Sequence, residues 1–137
     1  MEALVKRLAL RLKLRKISGG IIHHVAILQR VLERRNFKSK IVKGYCVIDE
    51  TKEACQHYWV ALESGEILDI GFEFAKLTSP GLQLLDPVRT ESLAPDLIRS
   101  DQTETALLAE NERLHELYLR DSKAFWRESP SDVRNFR

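Results

Sequence analysis

The stretch Cys55 to Gly71 reads CQHYWVALESGEILDIG and sets a histidine, His57, and an aspartate, Asp69, on two apolar runs joined by a short polar turn. An imidazole and a carboxylate are two parts of a nucleophilic site: the imidazole takes the nucleophile's proton, and the carboxylate orients the imidazole through its other ring nitrogen. The missing part is a thiol or a hydroxyl. A reactive thiol is commonly seated at a helix N-terminus, where the positive end of the helix favours the thiolate. The chain has two cysteines, Cys46 and Cys55. Cys55 lies two residues before His57 on the same run, which points both side chains one way at a spacing of about 7 Å, too long for direct proton transfer. Cys46 sits on the preceding β-rich run, beyond Gly44-Tyr45. Two cysteines are too few for a disulfide framework in 137 residues, so both are expected to be reduced, buried and structural.

The turn decides whether His57 and Asp69 can meet. Glu63-Ser64-Gly65 suits a three-residue hairpin loop with Gly65 in the left-handed conformation. That loop pairs Leu62 with Glu66 and sets Trp59 opposite Asp69. His57 then shares a face with Asp69 as a diagonal neighbour about 7–8 Å away. A two-residue Ser64-Gly65 loop would put them on opposite faces.

The elements that must carry these residues follow from periodicity and breakers. Leu4, Val5, Leu8 and Leu12 recur at helical spacing and predict a helix from about Glu2 to Leu14, although Leu8, Leu10, Leu12 and Leu14 also alternate as in a strand. Ser18-Gly19-Gly20 breaks the chain before a helix from Ile21 to Arg35, ended by Asn36. Ser39–Ile48 reads as a strand, and His57–Leu62 with Glu66–Ile70 as a hairpin. Gly71 to Pro87 reads as irregular, and Thr90 to Asp101 as loop or short helix. A long helix is expected from about Gln102 to Arg127, capped by Asp101 with Glu104, with Leu107, Leu114, Leu117 and Tyr118 inward. Beyond Pro130 the tail SPSDVRNFR reads as a frayed turn.

Taken in order, a helix opened by Gly20 with Ile21-Ile22-His23-His24-Val25-Ala26, the strand end Gly44-Tyr45, then His57-Tyr58-Trp59-Val60 and Ile67-Leu68-Asp69 resemble the transglutaminase-like branch of the papain-like cysteine protease and transglutaminase superfamily. The resemblance covers roughly residues 18–71. It implies an α+β fold in one domain, 1–137, with a helix packed on a small antiparallel sheet and a long C-terminal helix across it. It also implies a catalytic order Cys, His, Asp, with His57 and Asp69 in the last two roles and Gly20, His23, Tyr45 and Trp59 lining the site. The family's cysteine falls at Ile22, or else at Ile21 or Gly20, and none of these is a nucleophile; Ser18 reads as a cap or turn residue. The resemblance therefore points to a non-catalytic relative, a pseudoenzyme that binds a protein partner. An active thiol hydrolase or acyl transferase using Cys46 or Cys55 is the competing expectation.

Charge adds a third reading. Residues 1–44 carry twelve Lys/Arg against two Glu, while the remainder carries ten against eighteen Asp/Glu. The basic segment could bind nucleic acid or an anionic surface, but it has no interleaved aromatics to stack on bases. The alternative is that it packs against the acidic half. No run approaches the roughly 18 apolar residues of a membrane span, and no signal-peptide pattern opens the chain, so a cytoplasmic or nuclear location is expected. His23-His24 with Cys46, Cys55 or Asp69 match no metal-ligand spacing, and no metal or other cofactor is expected.

Overall fold

The computed structural model describes residues 1–48, 51–78, 88–99 and 105–137. The fold is α+β, with six helices among the described residues on a small, mostly antiparallel sheet. The first helix, α1 (Glu2–Leu14), buries Leu4, Val5, Leu8, Ala9 and Leu12. Leu10 and Leu14, which a strand would have buried beside Leu8 and Leu12, stand 43% and 69% exposed, so the helical period wins. The second, α2 (Ile21–Arg34), buries Ile22, Val25, Ala26, Ile27, Leu28 and Leu32 against the sheet. Asn36 follows it at φ 64°, the left-handed position that ends helices.

The sheet is built on β1 (Ser39–Ile48) and β2 (Glu53–Leu62), paired antiparallel from Ser39↔Leu62 to Ile48↔Glu53. The short strand β3 (Ile67–Leu68) lies against β2 with Val60↔Leu68 and Ala61↔Ile67, the register of the three-residue loop. Leu62 N–H donates to the Glu66 carbonyl at 2.9 Å, and Gly65 takes φ 89°. On one face Tyr58, Val60 and Leu62 join the helices in the core, with Ile41 packed beside them. By strand alternation Cys46, Val42, His57 and Trp59 occupy the other face.

Several expectations need correction. The stretch after Gly71 is not irregular: α3 (Ile70–Thr78) forms there, capped by Asp69, and packs on α1. Residues 79–87 lie outside the described residues. Residues 91–97 are loop, one of the two alternatives expected, and they are flanked by strand ends, β4 (Val88–Thr90) against β1 and β5 (Ile98–Arg99) parallel to β2; residues 100 and 101 lie outside the described residues. The long helix is two, α4 (Thr105–Arg120) and α5 (Ser122–Glu128), because Asp121 turns its carboxylate to accept from Ala124 N–H at 3.1 Å and starts a new helix. Leu114 is buried as expected, but Leu107 is 53% exposed. The expected cap at Asp101 and Glu104 lies outside the described residues. The tail folds into α6 (Ser131–Arg134), whose Val133 and neighbouring Phe136 are buried in the core.

Some cations of the basic segment are tied into the fold, although most of them are exposed. Arg30 donates to the carbonyls of Val133, Arg134 and Phe136 at 3.0–3.3 Å, and its guanidinium lies 4.0 Å from the Trp126 ring centroid. Arg11 and Arg15 donate to the Arg137 carbonyl, and Lys43 pairs with Glu112 at 3.0 Å. These cations bind mostly backbone carbonyls rather than the acidic side chains of the other half.

Candidate functional site

The register of β1 on β2 sets Gly44 opposite His57 and Cys46 opposite Cys55. Cys46 is therefore the diagonal neighbour of His57 on one sheet face, about 7–8 Å away at the backbone, and the long imidazole closes that gap. Asp69 arrives from the other side. Just past β3 the chain leaves the sheet, and Asp69 caps α3, its Oδ1 accepting from Phe72 N–H at 2.9 Å and its carbonyl from Glu73 N–H at 3.2 Å. That cap turns the carboxylate back over β2, where His57 Nε2 lies 2.8 Å and 2.7 Å from its two oxygens. One donor atom from each of Cys46, His57 and Asp69 falls within 4.8 Å of the other two.

A fourth residue joins them. Arg89 lies opposite Cys46 in β4 and reaches across the face to donate Nε to Asp69 Oδ2 at 2.8 Å. The Asp69 carboxylate is thus engaged by a ring nitrogen, a backbone N–H and a guanidinium, and is only 6% exposed. Burial alone would raise its pKa, but the bonds to His57, Phe72 and Arg89 overcome that and hold it below the usual carboxylate range. Burial likewise opposes charge on His57. The hydrogen bonds and negative charge of Asp69 and Cys46 outweigh it and lift the imidazole to about 9.

Two glycines make room. A β-carbon on Gly44 would come 2.4 Å from the Thr90 carbonyl oxygen and 2.5 Å from Trp59 Cη2, so glycine lets both close in; the indole is tilted 30° to the His57 ring, with centroids 6.0 Å apart. A β-carbon on Gly71 would lie 3.1 Å from His57 Cε1 and 2.6 Å from Ile21 Cδ1. The start of α2 and the start of α3 therefore converge on the imidazole.

The expected site residues divide accordingly. His57, Asp69 and Trp59 come together. Ile22 lies in the first turn of α2 as expected but is fully buried in the core; its neighbour Ile21 is the one that reaches the backbone beside His57. Gly20 is the N-cap of α2, and His23 Nδ1 accepts its N–H at 3.2 Å while the ring packs on Phe125, so His23 fastens the helix start. Tyr45 alternates away from Cys46 to the opposite face, near Arg99. The cysteines are half-buried rather than buried. An open groove of about 1400 Å³ runs along the site face and is lined by Val42, Trp59, Ala61, Ile67 and Arg89.

Cys46, His57 and Asp69 are also donor types that bind zinc. The Arg89 cation on Asp69 opposes a second cation there. Sequence reasoning missed Arg89, which no local pattern marks. It kept Cys46 and Cys55 together as competing nucleophiles, and the pairing of the two β-rich runs is the signal that separates them.

No family model matches the chain, and neither a curated protein nor a solved structure does.

Proposed function

We propose that Cys46, His57 and Asp69 form the nucleophilic site of a thiol hydrolase or acyl transferase. The observation that carries this reading is the mutual approach of the three groups to within 4.8 Å, beside a groove lined by Trp59 and Arg89, the neighbours of His57 and Asp69. Asp69 takes the Nε2 side of His57, which leaves Nδ1 for the sulfur. Cys46 is among the groups that favour the imidazolium, and the thiolate is the form of a cysteine that attacks. In the reaction the thiolate attacks an acyl carbon and a thioester forms as the leaving group departs. His57 gives that group its proton, then takes one from the water or amine that resolves the thioester. Asp69, anchored by Arg89 and the start of α3, keeps the ring in place through both steps. The groove, with Trp59 beside the imidazole, offers room for a peptide-sized acyl donor.

The test is incubation with an activated ester, p-nitrophenyl acetate, followed by intact-protein and peptide mass spectrometry. A burst of nitrophenolate with an acyl group on Cys46, abolished by Cys46→Ala and His57→Ala but kept by Cys55→Ala, is the expected result. Ester turnover unaffected by Cys46→Ala would sink the proposal.

The non-catalytic reading, a transglutaminase-like domain that binds a protein partner, draws on Ile21. An aliphatic chain stands at the helix start that converges on His57, where the resembling family would seat its thiol. If no acyl group accumulates on Cys46 and alkylation of Cys46 at neutral pH is as slow in the wild type as in His57→Ala, that reading takes over.

A further inference from the structure

Cys46 and Cys55 are directly opposed partners in the β1–β2 ladder, both in the thiol form and both half-buried. Directly opposed residues of an antiparallel pair have α-carbons about 4.5 or 5.5 Å apart, depending on the hydrogen-bonding site. Both values fall inside the window of about 4.4–6.8 Å that a disulfide tolerates. Opposed side chains also leave the sheet on the same face, so the two sulfurs can meet without a change of register. Neither position is fixed by core packing, because the core face carries Tyr58, Val60 and Leu62 instead.

We infer that Cys46 and Cys55 form a reversible cross-strand disulfide, so that Cys55 is a redox modification site that switches the thiol of Cys46 off. This rests on the proposed function for its consequence, but the disulfide itself does not depend on catalysis. With hydrogen peroxide as oxidant, the Cys46 thiolate attacks one peroxide oxygen and the O–O bond breaks. The departing hydroxide takes a proton and leaves as water. Cys46, oxidised by two electrons, is now a sulfenic acid. Cys55 loses its proton and attacks the Cys46 sulfur, the S–O bond breaks, and the second hydroxide leaves with that proton as a second water. Two thiols and one peroxide give one disulfide and two waters. An external dithiol reverses it by exchange, attacking one sulfur and then displacing itself as a cyclic disulfide. While the bond stands, Cys46 has no thiolate to offer an acyl carbon, and the sulfur is protected from irreversible over-oxidation.

The experiment treats the full chain with hydrogen peroxide, counts thiols and maps the linkage by non-reducing digestion and mass spectrometry. The expected result is loss of both thiols and two hydrogens, with a peptide containing Cys46 joined to one containing Cys55 within one chain, all restored by dithiothreitol. In Cys55→Ala, and equally in Cys55→Ser, Cys46 should go on to sulfinic and sulfonic acid that dithiothreitol does not reverse. Thiols that persist, links only between chains, or an equally reversible Cys55→Ala would overturn the inference. The thiol count needs no activity. If the disulfide forms but Cys46→Ala leaves ester turnover intact, the catalytic reading fails while the modification site stands; an acyl group on Cys46 without any disulfide is the reverse case.

Discussion

Gly71 stands so close to the ring of His57 that a β-carbon added there would lie 3.1 Å from Cε1, and 2.6 Å from the Cδ1 of Ile21 on its other side. The backbone at the start of α3 is thus wedged between the start of α2 and the imidazole. Gly71→Ala should cost about 1–3 kcal/mol as the neighbours give way, read as a lowered midpoint in urea. Because the imidazole is one of those neighbours, any esterase activity should fall by more than the folded fraction does. A variant as stable as wild type would mean that the approach is looser than described.

The Asp69 carboxylate is shared between an imidazole and a guanidinium, so its two partners should respond in opposite ways to substitution. Asp69→Asn removes the negative charge that raises His57, and the imidazole pKa in an NMR titration should drop from about 9 toward or below its ordinary value. Arg89→Gln removes a cation from the same carboxylate. It should raise the Asp69 pKa, leave His57 protonated at neutral pH and destabilise the fold by about 1–3 kcal/mol, since a buried charge loses a partner. A fall in the His57 pKa in Arg89→Gln would contradict the geometry.

Two histidines should shape stability against pH from opposite sides. His24 is buried between α2 and α3, its ring 5.1 Å from that of Phe74 and its Nε2 without a hydrogen-bond partner among the described residues; burial first, and then the neighbouring His23, push its pKa down to about 4. Below its ordinary value of 6.5 the unfolded chain takes the proton and the folded one does not, so stability should be lost as pH falls from 6.5 toward 4. His57 behaves in reverse. Its folded pKa is raised to about 9, so its contribution is complete below 6.5 and is lost as pH rises toward 9. Each contributes at most on the order of 3 kcal/mol. Denaturation midpoints across pH should peak near 6.5, with the acid limb flattened in His24→Phe and the alkaline limb in His57→Ala.

The start of α2 offers a contrast between adjacent residues. In a Cys46→Ala, Cys55→Ala background, Ile21→Cys should give a thiol whose alkylation depends on His57, because Ile21 reaches the backbone that flanks the imidazole. Ile22→Cys should stay unreactive in the native protein, since that position is fully buried. Equal reactivity at both positions, or none at Ile21→Cys, would separate the helix start from the site.

Local sequence determined the parts whose physics is local. Heptad-like leucines and good helix formers define α1, a glycine break and Asn36 bound α2, and Glu63-Ser64-Gly65 sets the register that carries Asp69 to the face of His57. Asp69 was readable as a possible partner for His57 from turn length and strand alternation, but the expected strand Glu66–Ile70 ends at Leu68, and it is the cap of α3 that turns the carboxylate onto the imidazole. Tertiary structure decided the rest. Whether Cys46 meets His57 depends on the β1–β2 register, and whether Arg89 meets Asp69 depends on where β4 docks. Leu107 was expected inside because it fits the helical stripe, yet it is exposed; periodicity names a face but not what covers it. The thiol that linear order sought at the start of a helix lies instead on a strand, at Cys46 beside His57 and Asp69. The reason is that side chains meet in space, and a sheet brings together residues that the chain's own order keeps apart.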